Sequence, residues 1–238
     1  MREGSASITG PQVPPTAKEI RRFRRLVLQW YGRHGRQFPW RKPSVPVYKL
    51  VVTEALLQRT RAETVASFYP EFFKRFRSWV QLAAVSEAAL GLHLRPIGLW
   101  KRRAATLSGL AQVMASRRGR FSRVRANVEE LPGVGQYVAN SIFLFAHSRP
   151  EALLDGNMAR VLERYFGPRR LADIRYDPYL QKLARAVIDG TRPREANWAI
   201  LDLASVVCKQ RTPLCSKCPL RLTCLFNPSP KGSEDFAK

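Results

Sequence analysis

Four cysteines fall within seventeen residues, as Cys208-x6-Cys215-x2-Cys218-x5-Cys224 in CKQRTPLCSKCPLRLTC. Thiolates this close can converge on one centre, and an all-thiolate set selects zinc or an iron–sulfur cluster. Zinc ribbons pair two short-spaced knuckles across a longer loop. Here there is a single x2 pair with gaps of six and five, which favours a [4Fe–4S] cluster while leaving zinc open. Two carboxylates stand out against apolar surroundings. Glu54 lies in VVTEALLQRT, where a buried carboxylate is costly unless it is paired with a base or needed for chemistry. Asp155 lies in EALLDGNMARVLERYFG, between an apolar run and a helix beginning near Asn157; an N-cap or turn role competes there with a chemical one. In LPGVGQYVANSIF a Pro-Gly-x-Gly turn leads into an apolar helix, so Gly133, Val134, Gly135 and Gln136 offer backbone amides at a helix start, an anion site suited to a DNA phosphate. The same string is also an ordinary connector between two helices.

Helices must position these groups. Apolar residues recur at helical spacing, as in Ile20, Phe23, Val27 and Trp30, then Leu50 to Leu57, then Val65, Phe68, Phe72 and Phe76. Pro- and Gly-bearing breaks separate them, at RQFPWRKPSVPVY, Arg95–Gly98 and Leu131–Gly135, and no alternating β-branched run appears. The reading is an all-α protein of about ten short helices. The ends, 1–16 and 227–238, are rich in small and polar residues and read as mobile tails. Of the 238 residues, 45% are apolar and 25% charged, which excludes wholesale disorder and fibrous repeats. The 41 Lys+Arg against 18 Asp+Glu leave +23, a field that puts nucleic acid first among partners. No long apolar run or signal-like start occurs, so an intracellular location off the membrane is expected, and cysteines crowded at one end argue against a disulfide framework.

Together these residues resemble the helix-hairpin-helix DNA glycosylase superfamily, in its iron–sulfur branch containing endonuclease III and the mismatch glycosylases. Its motifs occur in order as TEALLQRT, IGLWKRRA, LPGVGQY, LLDGN and the cysteine run. The resemblance implies a six-helix barrel at 45–148, with the hairpin at about 126–146. A helical [4Fe–4S] cluster domain would be formed by 17–44 and 149–226, and DNA would bind in the cleft between the two parts. It further implies a monomer that binds double-stranded DNA and flips the target nucleotide from the stack. Asp155, eighteen residues past Tyr137, matches the family's essential aspartate, whose ionised carboxylate suits an oxocarbenium-like sugar as the C1′–N bond breaks. Asn157 accompanies it on the DNA-binding side.

The bifunctional members place a lysine where this chain has Tyr137. A phenol cannot form the imine that drives strand cleavage, so a monofunctional glycosylase with weak or no lyase activity is implied. Tyr137 and a sequence that stops fourteen residues after Cys224 resemble the thymine/uracil mismatch members. There, Tyr137 would line the base pocket and Glu54 would hydrogen-bond or protonate the departing pyrimidine. The alternatives are an adenine glycosylase acting opposite 8-oxoguanine or guanine, which Glu54 and LDGN also fit, and a DNA-binding module without chemistry. Arg59, with Gln58 beside it, matches the position that fills the gap left by the flipped nucleotide. Lys101, Arg102 and Arg103 are expected on phosphates near Trp100, with Trp40 at the domain junction. Lys209, Arg211, Lys217 and Arg221 ring the cysteines as a basic loop for the DNA backbone, and the cluster itself is expected to be structural or to tune DNA affinity.

Overall fold

The computed structural model describes residues 14–227, so most of both expected tails lies outside the described residues. Where the tails are described, they are tied down. Thr16 caps the first helix: its Oγ1 accepts from Glu19 N at 3.3 Å, while the Glu19 carboxylate accepts from Thr16 N at 2.7 Å. This reciprocal capping box satisfies amides that would otherwise face solvent. Asn227 donates from Nδ2 to the Arg221 carbonyl at 2.9 Å.

The described residues form eleven α-helices and no strand. They are α1 (Ala17–His34), α2 (Val47–Leu57), α3 (Ala62–Arg75), α4 (Trp79–Ala83), α5 (Glu87–Leu94), α6 (Trp100–Ser116), α7 (Arg125–Glu129), α8 (Gln136–Ala146), α9 (Gly156–Phe166), α10 (Pro178–Ile188) and α11 (Pro193–Val206). No helix among them is long and apolar enough to cross a membrane. They group into two compact units, one of residues 36–151 and one of 14–35 with 152–227. The expected divisions at 44/45 and 148/149 thus move to 35/36 and 151/152. Trp40 explains the first shift. It stacks on Phe38 with ring centres 4.7 Å apart and lies 5.9 Å from Tyr69 of α3, so it packs in the core of unit 36–151. Glu151 explains the second, since it accepts from Arg125 of α7 at 2.8 Å.

Within unit 36–151, α2 and α8 are buried on most sides, as expected for helices whose apolar residues do not keep to one stripe. They pack on each other, and α2 also meets α3 and α6. In the other unit α1 is strongly amphipathic. Its buried Phe23, Val27 and Trp30 join a core with Leu162, Leu183, Val187 and Ile200 from α9, α10 and α11. Asp177 begins α10. Burial raises its carboxyl pKa, but acceptance from Leu180 N at 2.7 Å and from Arg170 N and Leu171 N at 2.8 Å outweighs that and holds it below the usual range.

Candidate functional site

In unit 36–151, α2 carries Glu54 on a buried turn, 3% exposed, opposite the first turn of α8. Tyr137 donates its phenolic hydrogen to Glu54 Oε2 at 2.9 Å. The helix pairing that buries α2 against α8 therefore joins the two residues that the sequence singled out 83 positions apart.

The hairpin that leads to Tyr137 is α7, a turn over 130–135, and α8. Gly133 has φ +70°, and a Cβ there would lie 2.0 Å from Thr106 Cγ2, so α6 presses directly on the turn. Both the left-handed backbone and the close approach require glycine. Gly135 is the N-cap of α8 with no side chain capping the helix, and it is exposed, as is Gly133. Amides at this helix start are placed for an anion. Val134 does not fit the expected contact. Its side chain is buried and its amide donates to the Leu131 carbonyl at 3.0 Å, so it shapes the turn. Arg125 fastens α7 by donating to Glu129 at 3.1 Å, Asn140 at 3.0 Å and Glu151 at 2.8 Å, with its guanidinium 4.8 Å from the Phe143 ring centre.

Gln58 and Arg59 follow the end of α2 and are exposed, and Arg59 adopts φ +58°. Arg103, expected on a phosphate, is buried at 7% exposure and does something else. It donates to the carbonyls of Gln58 at 2.6 Å and Ile97 at 2.9 Å, and to Thr60 Oγ1 at 2.6 Å. One guanidinium thereby braces two loops, the one bearing Gln58 and Arg59 and the one before α6. The second loop ends in Leu99, at φ +50° and half exposed, an apolar tip that sequence reasoning missed. Nothing in the order of residue types distinguishes Leu99 from a core leucine; only its backbone does. Lys101 and Arg102 are exposed at the start of α6, with Lys101 Nζ 5.3 Å from the Trp100 ring centre.

In unit 14–35/152–227, Asp155 is the N-cap of α9. Its Oδ1 accepts from Asn157 N at 2.9 Å and Met158 N at 2.8 Å, and its Oδ2 accepts from Asn157 Nδ2 at 2.8 Å. The cap fixes the direction of the carboxylate. Two supports escaped sequence analysis. Buried Asn197 of α11 accepts from Leu153 N at 2.6 Å and so anchors the strand-like run into Asp155. Arg160 donates to Asn157 Oδ1 at 3.1 Å, to the Ala204 carbonyl at 3.0 Å and to the Cys208 carbonyl at 2.9 Å. The aspartate is thereby linked through Asn157 and Arg160 to the first cysteine.

The four cysteines are half-buried and unpaired by disulfides, and Cys208, Cys218 and Cys224 pack against the core of their unit. Burial pushes the Cys218 thiol up to about 11, with the three other thiols adding to the rise. Arg164 laces the loop: it donates to Cys208 Sγ at 3.4 Å and to the carbonyls of Lys209 at 2.8 Å and Gln210 at 2.9 Å. Among the described residues no group of three or more His, Cys, Asp or Glu is arranged around the position of a single metal ion. A cubane cluster takes each thiolate on a separate iron, so its ligands stand farther apart than those of one ion, and this all-sulfur set in mutual electrostatic range fits it. Lys209, Arg211, Lys217 and Arg221 are exposed on the same loop.

Comparison with known proteins gives this geometry a context. The chain is 36% identical over 212 residues to a thymine-DNA glycosylase from Aeropyrum pernix, covering 87% of this chain and 95% of that protein. It is 34% identical to a thymine/uracil-DNA glycosylase from Pyrobaculum aerophilum, covering 89% and 94%. The solved structure of a thermostable thymine-DNA glycosylase superposes with a TM-score of 0.80 at 30% identity, covering 88% of this chain and 97% of that one. The family described as HhH-GPD superfamily base excision DNA repair protein matches residues 52–185. That stretch takes in both carboxylates, the hairpin and most of the helices that hold them, more than half of the sequence, and the chain belongs to the HhH-GPD superfamily of base excision DNA repair proteins.

Proposed function

We propose that the protein is a monofunctional DNA glycosylase, acting as a monomer on duplex DNA, that releases thymine or uracil mispaired with guanine. The observation that carries the reading is the Tyr137 hydroxyl bonded to the Glu54 carboxylate at 2.9 Å. It leaves lone pairs of the phenol and carboxylate oxygens to accept from a pyrimidine's N–H, at a position that holds no amine for an imine. Asp155, held by its cap, stabilises the positive charge that grows on the sugar as the C1′–N bond breaks and helps place the attacking water. The base leaves with the bonding electrons, water supplies the hydroxyl at C1′, and the proton that water sheds is passed through Glu54 to the departing base. The result is an abasic site with both strands intact. The names borne by the relatives support the same substrate class.

The hairpin amides at Gly133, Gly135 and Gln136 take a phosphate, as do Lys101 and Arg102. Arg59 and Gln58 occupy the gap left in the stack, and half-exposed Leu99 serves as an apolar wedge between bases. Cys208, Cys215, Cys218 and Cys224 hold a [4Fe–4S] cluster. When bound it supplies a rigid cross-link of the loop, and base hydrolysis itself transfers no electron.

The deciding experiment is excision from labelled duplexes bearing G:T, G:U, A:8-oxoguanine and A:G pairs, with and without alkali. The expected outcome is strand scission on G:T and G:U, and only after alkali. Scission without alkali overturns the monofunctional assignment, and release of adenine overturns the substrate.

A further inference from the structure

The outward face of α1 carries neither carboxylate nor the hairpin, yet it is rich in arginine. Arg21, Arg25 and Arg33 are exposed there, and Arg192, at the start of α11, faces the same shallow groove of about 520 Å³ together with Leu28, Gln29 and Gly32. None of these four guanidiniums makes an ion pair among the described residues. Arg24, on the groove's edge, is different: it donates to the carbonyls of Val187 at 3.0 Å and Ala186 at 2.7 Å and so closes the end of α10. It is a wall of the groove, fixed in place, beside four cations that have no partner of their own.

Asp189 and Glu195 lie within three residues of Arg192, but the groove lining itself holds no acid, so its arginines repel one another and an external polyanion relieves that repulsion. The groove carries one half-buried leucine and no exposed aromatic, so it lacks the apolar anchor that a peptide or a lipid surface requires. Its length also suits a phosphate backbone. From Arg21 to Arg33 the helix rises about 18 Å, over which one strand of B-form DNA presents about five phosphates. Gly32 sits inside the helix, where glycine is less favourable than alanine. A Cβ there would touch nothing, so packing does not demand glycine, and the bare backbone leaves the groove floor open to close approach.

This face is separate from Asp155 within its own unit. Phe23, on the opposite side of α1, packs 5.1 Å from Tyr165 and 5.2 Å from Phe166 at the end of α9, so the arginines point away from the core that α9 shares. We propose that Arg21, Arg25, Arg33 and Arg192 form a second surface for duplex DNA, which grips the backbone of an undamaged stretch without reading sequence. The inference does not depend on the roles of Asp155, Glu54 or Tyr137, and its test involves no base release.

The test compares the full chain with R21Q/R25Q/R33Q/R192Q for binding of an undamaged fluorescent duplex across a salt series, and for pairing of two differently labelled duplexes in one complex. Four lost phosphate contacts should lower the slope of log K against log salt by about 3.6. The native chain should bring two duplexes together and the variant should not. The paired variants R21Q/R25Q and R33Q/R192Q, each removing half of the charge, should each lower the slope by about 1.8 and guard against a folding defect in the fourfold protein. Hydrogen exchange in 17–34 should slow when the undamaged duplex is added. An unchanged slope, undiminished pairing of duplexes by the variants, or single-stranded RNA displacing the duplex from α1 would overturn the proposal.

Discussion

At Tyr137 a single hydroxyl separates two roles, specificity and packing. Phenylalanine keeps the ring and its contacts in α8 but removes the donor to Glu54, and a hydrogen bond to a carboxylate is worth about 1.5–3 kcal/mol. Tyr137→Phe should therefore fold normally and lose about tenfold or more in single-turnover release of thymine from G:T duplexes. In combination with Glu54→Gln its effect should be smaller than in the native background, because the two share one bond. Additive losses would mean that the pair acts through separate contacts. Asp155 poses the complementary case, since it both caps α9 and faces the proposed chemistry. Asparagine is as good an N-cap as aspartate but carries no charge. Asp155→Asn should thus leave the melting temperature and DNA affinity near native values while base release falls on the order of 10²–10³-fold, the usual loss when a preorganised electrostatic group is removed. Equal release by Asp155→Asn and the native chain would remove Asp155 from the chemistry.

Elements, rather than residues, decide where those side chains stand. Gly133 is the plainest case, because α6 presses on the hairpin through Thr106. Gly133→Ala brings in a methyl group at a backbone angle that costs about 1–2 kcal/mol in an L-residue and places it against Thr106 Cγ2. Weaker binding of undamaged duplex and a lower melting temperature should follow. Adding Thr106→Ala should recover the part of the loss due to the clash but not the part due to the backbone. Arg103 gives the second prediction. Arg103→Met leaves the carbonyls of Gln58 and Ile97 without their donor, at a cost of about 1–3 kcal/mol. If the brace positions Arg59 and Leu99, mismatch affinity should fall further than affinity for undamaged duplex, with partial rescue by Arg103→Lys. The helices, the hairpin and Asp155 were legible in the sequence because each rests on a local pattern: 3.6-residue periodicity, a Pro-Gly-x-Gly turn, a carboxylate before a helix. Arg103, Asn197 and Arg160 were not, since each is one polar residue in a helix and owes its meaning to partners more than forty positions away. In a chain with 41 basic residues, an arginine read alone looks like a phosphate contact, and only burial separates the brace from the contact.

Over the whole molecule, charge sets two tendencies against each other. With 41 basic and 18 acidic residues, the chain carries a net excess of 23 positive charges. Several of the acids are committed elsewhere: Asp155 and Asp177 accept from backbone amides, Glu19 from Thr16, and Glu54 from a tyrosine. The folded chain thus stores repulsion that DNA phosphates relieve and that salt screens, over a Debye length of about 10 Å at 0.1 M. Raising sodium chloride should therefore move stability and binding in opposite directions. The melting temperature of the free protein should rise as repulsion is screened. Affinity for undamaged duplex should fall by about 10³–10⁵ between 50 and 200 mM if six to ten phosphates are contacted. The two curves are measured on the same protein, by thermal unfolding and by fluorescence anisotropy. A melting temperature that falls with salt would show that local ion pairs such as Arg36–Glu63 and Arg125–Glu151 outweigh the net charge. A nearly flat affinity would show that the contacts to DNA are made by backbone amides and apolar tips, with the arginines bystanders.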